Sequence, residues 1–349
     1  MLRARSLIPC VLLCLAPAFV ACEDKTNKSP AVDAGTSAAQ TPGLDNPKLR
    51  EALAAASASA SARAVDPDGP PPGGVFPPEL ADARHAKNAP VKIQVGSEGA
   101  DPKSAIAREL GDLKGPGRTT IQIRTGPRSA LPSVDLTLSF KLDKAKAGDK
   151  PSPASITAKV DKAVLSATQP GQIPAGTDKE IAKLTGSSFR ITGGPSGGAE
   201  DVAVTVSKDT AAELKYVLYG AAEMLFAMYV PVPDKPVGVG AAWIAEARSS
   251  LAGLETISYR LYRVKSIDAG AISLDVEVRQ YATGPKQPME GMPAGEMQQF
   301  ESVAQGQLKI STTSTFASQA QFDQKRGIAF LDGQRMMQLQ METEGRFSR

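Results

Sequence analysis

The chain has 349 residues, of which 42% are hydrophobic and 22% are charged, and its formal net charge is +3. All three cysteines, Cys10, Cys14 and Cys22, lie within the first 22 residues, and His85 is the one histidine. Beyond Cys22 this excludes disulfides, thiol catalysis and cysteine-based zinc sites. The low net charge without a basic cluster does not favour nucleic acid as a partner.

The first elements in chain order are those of a secretory signal. Arg3 and Arg5 precede an apolar run over residues 7–20, and the small residue Ala21 stands just before Cys22, a pattern typical of exported proteins. The run is shorter than the roughly 20 residues that a membrane-spanning helix needs. An ordinary cleaved signal peptide and an uncleaved anchor helix are the alternatives.

The motif Phe19-Val20-Ala21-Cys22 resembles the lipobox of bacterial lipoproteins. The resemblance implies that residues 1–21 are removed and that Cys22 receives a diacylglyceryl thioether and an amine-linked acyl chain such as palmitate, with membrane lipid as its partner. It also implies that the folded part lies in the cell envelope, outside the cytoplasm. Glu23 stands where lipoproteins of the inner membrane usually have aspartate, so the outer membrane is favoured over the inner membrane.

The next segment, residues 22–90, is rich in alanine, serine, proline and glycine and contains few large apolar side chains. A segment of this composition does not bury enough surface to offset the entropy that folding costs. We expect a disordered linker over 22–90 between the lipid anchor and a folded domain over 91–349. His85 falls within this linker, so the folded domain would contain no histidine, which excludes Ser-His-Asp catalysis.

Alternation of apolar and polar residues predicts that the folded domain is β-rich. It is clear at 120–124 and 134–142, as expected for strands with one buried and one wet face. Such strands favour an antiparallel sheet, and we predict a curved sheet or half-barrel in an α+β fold. Further strands are predicted at 155–164, 201–206, 258–265, 272–281, 308–322 and 334–342, with a hairpin loop at 323–327.

One long apolar helix is predicted at about 210–229, packed against the sheet. Thr210 and Glu213 have the spacing of a capping box, and Pro231 follows the end of the helix. Polar residues form only a narrow stripe, so burial on most sides is expected. The helix either simply covers the sheet or lines a ligand cavity. Its candidate lining residues are Leu218, Leu225 and Phe226.

Three methionines, Met289, Met292 and Met297, stand in a loop rich in proline and glycine. Methionine fills irregular apolar gaps. The loop is therefore interpreted as a flap over the sheet or over a ligand, with all three methionines as candidate lining residues. Binding of Cu(I) by the thioethers is the alternative.

Residues 205–345 resemble uncharacterised bacterial envelope lipoproteins with β-rich domains. The likeness depends on the connector over 231–240 with its prolines and glycine pair, on Trp243 at the start of a strand, and on the strand over 259–264. It implies an exported β-rich domain and brings no activity with it. Trp243 is expected to be an anchoring core residue.

From these features we expect a non-enzymatic, membrane-anchored lipoprotein that binds a hydrophobic ligand or a partner protein of the envelope. No catalytic residue, cofactor or metal site is predicted. One alternative is a docking or assembly lipoprotein without a pocket. A weaker alternative is a hydrolase with paired carboxylates, drawn from Glu290, Glu296 and Glu301.

The Cys22→Ala variant is expected to lose acylation and to be released from membranes, because Cys22 is the one cysteine of the signal that follows a small residue. Membrane fractionation after labelling with a fatty-acid probe measures both effects. Cys14→Ala is the matched control, since it leaves the lipobox intact. Unchanged labelling of Cys22→Ala would contradict the lipoprotein interpretation.

Overall fold

The structure is a computed structural model that describes residues 72–111, 113, 115–125, 130–143, 154–169, 171–194, 197–251, 253–286, 295–332 and 335–349. The predicted signal, the lipidation site Cys22 and the predicted linker up to residue 71 lie outside these residues.

Most of the described chain is strand, which confirms the prediction of a β-rich fold. The strands are β1 Lys92–Ser97, β2 Ala100–Ser104, β3 Gly117–Thr125, β4 Val134–Asp143, β5 Ser155–Leu165, β6 Ser188–Gly193, β7 Ala199–Thr205, β8 Val237–Val239, β9 Ala242–Leu251, β10 Leu254–Asp268, β11 Ala271–Ala282, β12 Glu296–Ser311, β13 Ser314–Asp332 and β14 Arg335–Ser348. The α-helices are α1 Pro78–Arg84, α2 Thr177–Ala182 and α3 Ala212–Met228.

Twelve of these strands form one antiparallel sheet, in the order β1-β9-β10-β11-β12-β13-β14-β3-β4-β5-β6-β7. The sheet is not closed: β1 and β7 are its two edges. The pairing of β14 with β3, from Met341↔Thr125 to Ser348↔Arg118, joins the C-terminal strands to the N-terminal ones. Strands β2 and β8 pair separately in a small second sheet.

Two details of the predicted strand pattern are wrong. The predicted strand over 308–322 is divided by a turn at Thr312 and Thr313, which separates β12 from β13. The predicted hairpin loop over 323–327 lies inside β13, where these residues pair with both β12 and β14. Asp323 and Lys325 resemble turn residues in sequence, but they are exposed on the outer face of a long central strand, while Gln324 and Arg326 lie on its inner face.

The strands bury alternate residues on one face of the sheet. In β11 the side chains of Ile272, Leu274, Val276 and Val278 are buried, and the residues between them are half-buried. This period of two places the apolar set of each strand on one side. The main hydrophobic core lies there, and we call this side the inner face and the opposite side the outer face.

Helix α3 lies against the inner face and contacts β3, β6, β7, β13 and β14. Val217, Leu218 and Leu225 are fully buried on the helix. A Cβ atom at Gly220 would lie 3.1 Å from Thr343 Cγ2, and one at Gly345 would lie 3.0 Å from Met224 Sδ. Helix and sheet therefore approach closely where each has a glycine.

The start of α3 differs from the predicted capping box. Ala211 is the N-cap residue, and no side chain caps the helix. The Thr210 hydroxyl instead donates to the Lys183 carbonyl over 3.5 Å, and the Thr210 amide donates to Ser207. Thr210 therefore belongs to a turn that precedes the helix, although the sequence pattern predicts it as the N-cap residue.

The predicted boundary between linker and folded domain is also wrong, because residues 72–90 contribute to the fold. Phe76, Ala81 and His85 are buried. The Phe76 amide donates to the Ala282 carbonyl over 2.8 Å, and the Phe76 ring packs edge-on against Tyr281 on the outer face. A few anchoring side chains hold this segment in place although its average composition is that of a linker.

A chain that begins at residue 91 is expected to be less stable than one that begins at residue 72, by roughly 3 kcal/mol or more. Burial of one large apolar side chain alone contributes roughly 1.5–3 kcal/mol, and the shorter chain loses Phe76, Leu80 and Ala81. Urea unfolding of the two purified chains measures the difference. Equal midpoints would mean that the segment contributes nothing to the stability of the sheet.

Candidate functional site

A recess lies between α3 and the inner face of the sheet. It measures about 790 Å³ including its part open to solvent, and it leaves about 60 Å³ for the centres of water-sized molecules. A buried water needs roughly 10–15 Å³ on that scale. The recess therefore has room for a few waters or one small chemical group, and a larger ligand would extend toward the open side.

The recess adjoins the part of the sheet that is not closed. Strand β1 pairs with β9 only over its residues 242–246, so residues 247–251 have β10 as their one paired strand. Ser249 and Leu251 of this half, together with Val202 of the edge strand β7, line the recess. The recess thus lies where two unpaired strand edges face each other.

Apolar side chains form one end of the recess. Leu254 lines it and also belongs to a small cluster of buried side chains beyond it. The cluster contains Leu254, Ala282, Met297, Phe300, Ile328 and Phe330. On the helix side the ring of Phe226 lines the recess. An apolar portion of a ligand would find matching surfaces at both places.

A polar network crosses the recess and compensates one buried cation. Arg326 Nη2 donates to Glu223 Oε1 in a short ion pair and to Gln280 Oε1 over 3.1 Å. The Ser302 hydroxyl donates to the same Gln280 oxygen over 2.7 Å, and Gln324 Nε2 donates to that hydroxyl over 3.3 Å. The charge of Arg326 is therefore neutralised, and the amide and hydroxyl groups form a connected chain.

A second arginine in the recess, Arg260, has no such compensation. Its side chain is 1% exposed. Its Nη2 donates to the Ala199 carbonyl over a long 3.4 Å, and its guanidinium lies 4.8 Å from the centre of the Phe226 ring. Its Nε and Nη1 have no hydrogen-bond partner among the described residues. A buried guanidinium that lacks an anion costs several kcal/mol, because arginine does not lose its proton.

The neighbour of Arg260 on the same face of β10 is Tyr262. Its hydroxyl is buried. Burial raises the pKa of Tyr262, and the charge of the adjacent Arg260 guanidinium and its side-chain contact with the phenol oppose that rise. The phenol therefore keeps its proton, and its neutral oxygen does not compensate the charge of Arg260.

The structure brings one of the predicted lining residues into the recess. Phe226 lines it, whereas Leu218 and Leu225 are buried in the main core on other sides of the helix. Met297 is buried in the small apolar cluster rather than in a flap. Met289 and Met292 lie outside the described residues.

The sequence reasoning missed the polar lining of the recess, above all Arg260 and Arg326. A signal for Arg260 was present: Ser258, Arg260 and Tyr262 alternate on β10 with the same period as the buried Val264. A charged residue at an inward position of a strand is unusual, because arginine is almost never fully buried without a partner.

His85 lies in the folded domain rather than in a linker and is 1% exposed. Its Nδ1 lies 3.0 Å from Glu246 Oε1 on β9, and its Nε2 lies 3.2 Å from the Ala89 carbonyl oxygen. Lys92 Nζ also donates to Glu246 Oε1, over 3.3 Å. Both ring nitrogens face acceptors, so the doubly protonated imidazolium satisfies both contacts and the neutral ring satisfies one.

These contacts set the ionisation of the nearby carboxylates. Burial opposes ionisation of Glu246, but the hydrogen bonds from His85 and Lys92 outweigh it and hold the pKa of Glu246 below its ordinary value. The ionised form of Glu200 on β7 is less well stabilised. Burial raises the pKa of Glu200, and a backbone hydrogen bond from Val91 and the charge of His85 only partly offset that rise. Glu246 is therefore a fixed anion that ties the segment after α1 to the sheet.

Glu296 and Glu301 do not form a catalytic pair. They lie five residues apart on β12, which separates them by roughly 16 Å along a strand, whereas glycosidase carboxylates lie within about 10 Å of each other. Glu296 pairs with Lys286 instead, over 3.1 Å. Glu290 lies outside the described residues.

No protein-family model matches the chain, and no curated protein matches its sequence. Among the described residues, no group of three or more histidine, cysteine, aspartate or glutamate side chains is arranged to hold a metal ion. Within the same ranges, no helix is both long and apolar enough to cross a membrane.

Glu246→Gln is expected to lower the free energy of unfolding at pH 7 by about 1–2 kcal/mol, because it removes a charge-assisted hydrogen bond. The pKa of Glu246 is lowered by folding, so its contribution is complete above the ordinary value of 4.5 and is lost as the pH falls through the folded-state pKa. The difference in unfolding free energy between wild type and variant should therefore disappear at acidic pH.

Urea unfolding at pH 7, 5 and 3 measures this gap. Glu301→Gln is the matched control, since Glu301 is exposed on β12, and it should leave stability within about 0.5 kcal/mol of wild type. A Glu246→Gln deficit that persisted undiminished at pH 3 would show that packing, not charge, accounts for the loss.

Proposed function

We propose that this chain is a membrane-anchored lipoprotein of the bacterial cell envelope, non-enzymatic, whose folded domain binds a ligand in the recess beneath α3. The lipobox resemblance at Cys22 supports the anchor, and the outer membrane is favoured over the inner membrane. The open sheet acts as a half-barrel around the long apolar helix. Residues 22–71 serve as the tether between membrane and domain.

The observation that carries the binding proposal is the recess itself. It combines apolar surfaces at Phe226 and Leu254 with inward polar groups such as Gln280, and it adjoins the edge where β7 and β9 are not paired. Binding sites for small molecules typically combine mostly apolar walls with a few placed polar groups. A domain that only docked to a partner would have no need to bury two arginines in its interior.

One observation favours the alternative, a docking lipoprotein without a functional pocket. The room for water-sized molecules is about 60 Å³, whereas pockets for drug-sized ligands measure roughly 300–1,000 Å³. Under this alternative the recess is an imperfection of packing, and an envelope protein docks elsewhere on the surface. The two functions predict different effects of filling the recess: ligand binding would be lost, whereas docking to a partner would be unchanged.

Ala304→Leu is expected to abolish ligand binding, because Ala304 lines the recess and the larger side chain fills it. Native mass spectrometry of the protein after mild purification detects bound ligand, and fluorescence of a hydrophobic dye measures occupancy. Gln305→Leu is the matched control: it adds leucine at the next position of β12, where the side chain is exposed on the outer face.

The ligand-binding proposal predicts ligand on wild type and on Gln305→Leu and none on Ala304→Leu. A ligand-free wild type, or dye binding that Ala304→Leu leaves intact, would contradict it. Cross-linking in intact cells then tests the alternative. Recovery of one stoichiometric envelope protein, with equal yield from both variants, would favour docking.

A further inference from the structure

The positive charge of Arg260 has no compensating group among the described residues. Its side chain is almost fully buried, and neither an ion-pair partner nor an acceptor for Nε and Nη1 is found among the described residues. The cation–carboxylate pair that also lines the recess, Arg326 with Glu223, is already neutral as a unit. A guanidinium keeps its proton at any physiological pH. Arg260 therefore places in the recess a positive charge that none of the described residues compensates.

The groups around this charge would orient an anion. The Phe226 ring lies on one side of the guanidinium at 4.8 Å, and Tyr262 lies on the neighbouring inward position of β10. Arg260 lines the recess together with apolar side chains such as Phe226 and Leu254. The ligand that satisfies both features has an anionic end and an apolar body.

We infer that the recess binds a monocarboxylate with an apolar chain, and that its carboxylate is held by Arg260 as the specificity-determining residue. This inference rests on the proposed ligand-binding function and adds the chemical class of the ligand. The carboxylate group accepts hydrogen bonds from Nε and Nη1, and the chain lies along Phe226 and Leu254 toward the open side.

The size of the recess favours a carboxylate over a bulkier anionic group. Its space of about 60 Å³ for water-sized molecules corresponds to about four to six waters. A carboxylate with its first few carbon atoms fits within that space. A phosphodiester headgroup with its substituents is larger than that space.

The test uses the whole chain carrying Cys22→Ser, which removes the proposed lipidation site, freed of bound lipid by solvent extraction. Octanoate and octanol are titrated separately by calorimetry, and the melting temperature is recorded with each. Octanoate is expected to bind and to raise the melting temperature. Octanol should bind about tenfold or more weakly, because it lacks the charge that Arg260 pairs with.

Arg260→Gln is expected to reduce the affinity for octanoate about ten- to hundredfold, to the level of octanol, whereas Arg260→Lys should retain part of it. Without ligand, Arg260→Gln should melt no lower than the parent protein, because it removes an uncompensated buried charge. Arg263→Gln is the matched control, since Arg263 lies on the outer face of the same strand, and it should bind octanoate unchanged.

Four results would overturn the inference. Equal binding of octanoate and octanol, unaffected by Arg260→Gln, would leave a recess that binds apolar ligands without sensing charge, so the proposed function would stand alone. A clear fall in the ligand-free melting temperature of Arg260→Gln would show that the fold itself satisfies Arg260. Chloride that stabilised the protein as strongly as octanoate would identify an inorganic counter-ion.

Binding of neither octanoate nor octanol would remove the proposed function as well.

Discussion

The close packing of α3 on the inner face of an open twelve-stranded sheet is the contact on which the rest of the structure depends. The sheet is too long to be covered by one helix, so α3 reaches only part of its inner face, and the recess lies where that coverage ends. Gly220 and Gly345 allow the approach. The same contact places Glu223 next to Arg326, so this polar residue of the helix faces the interior rather than the solvent.

The β-rich antiparallel fold could be predicted from the sequence because strand alternation is a local signal. The strands over 120–124 and 134–142 lie within β3 and β4, and the anchoring role of Trp243 is confirmed by its burial, its stacking on Tyr262 and its hydrogen bond to Pro231. The errors share a cause. The loop at 323–327 was predicted from its turn-forming residues and the linker up to residue 90 from its average composition. Neither local signal shows the long-range partners that hold these residues.

The candidate site was harder to predict than the fold. Phe226, Leu218 and Leu225 are all apolar residues of an apolar helix. The helix pattern alone does not show which of them packs against the sheet and which lines the recess. The inward arginines come from strands far apart in sequence, β10 and β13. Only the order of strands in the sheet reveals that they face one space, and that order is set by tertiary pairing.

The pairing of β14 with β3 has a consequence for how the molecule is made. The last strand of the chain joins the two halves of the sheet, with Ser348 opposite Arg118. Strand β3 therefore has one of its two neighbours missing until synthesis reaches the C-terminus, and contacts of such high sequence separation form slowly. The two halves of the sheet therefore remain separate until β14 has been made, and the sheet is completed only when β14 pairs with β3.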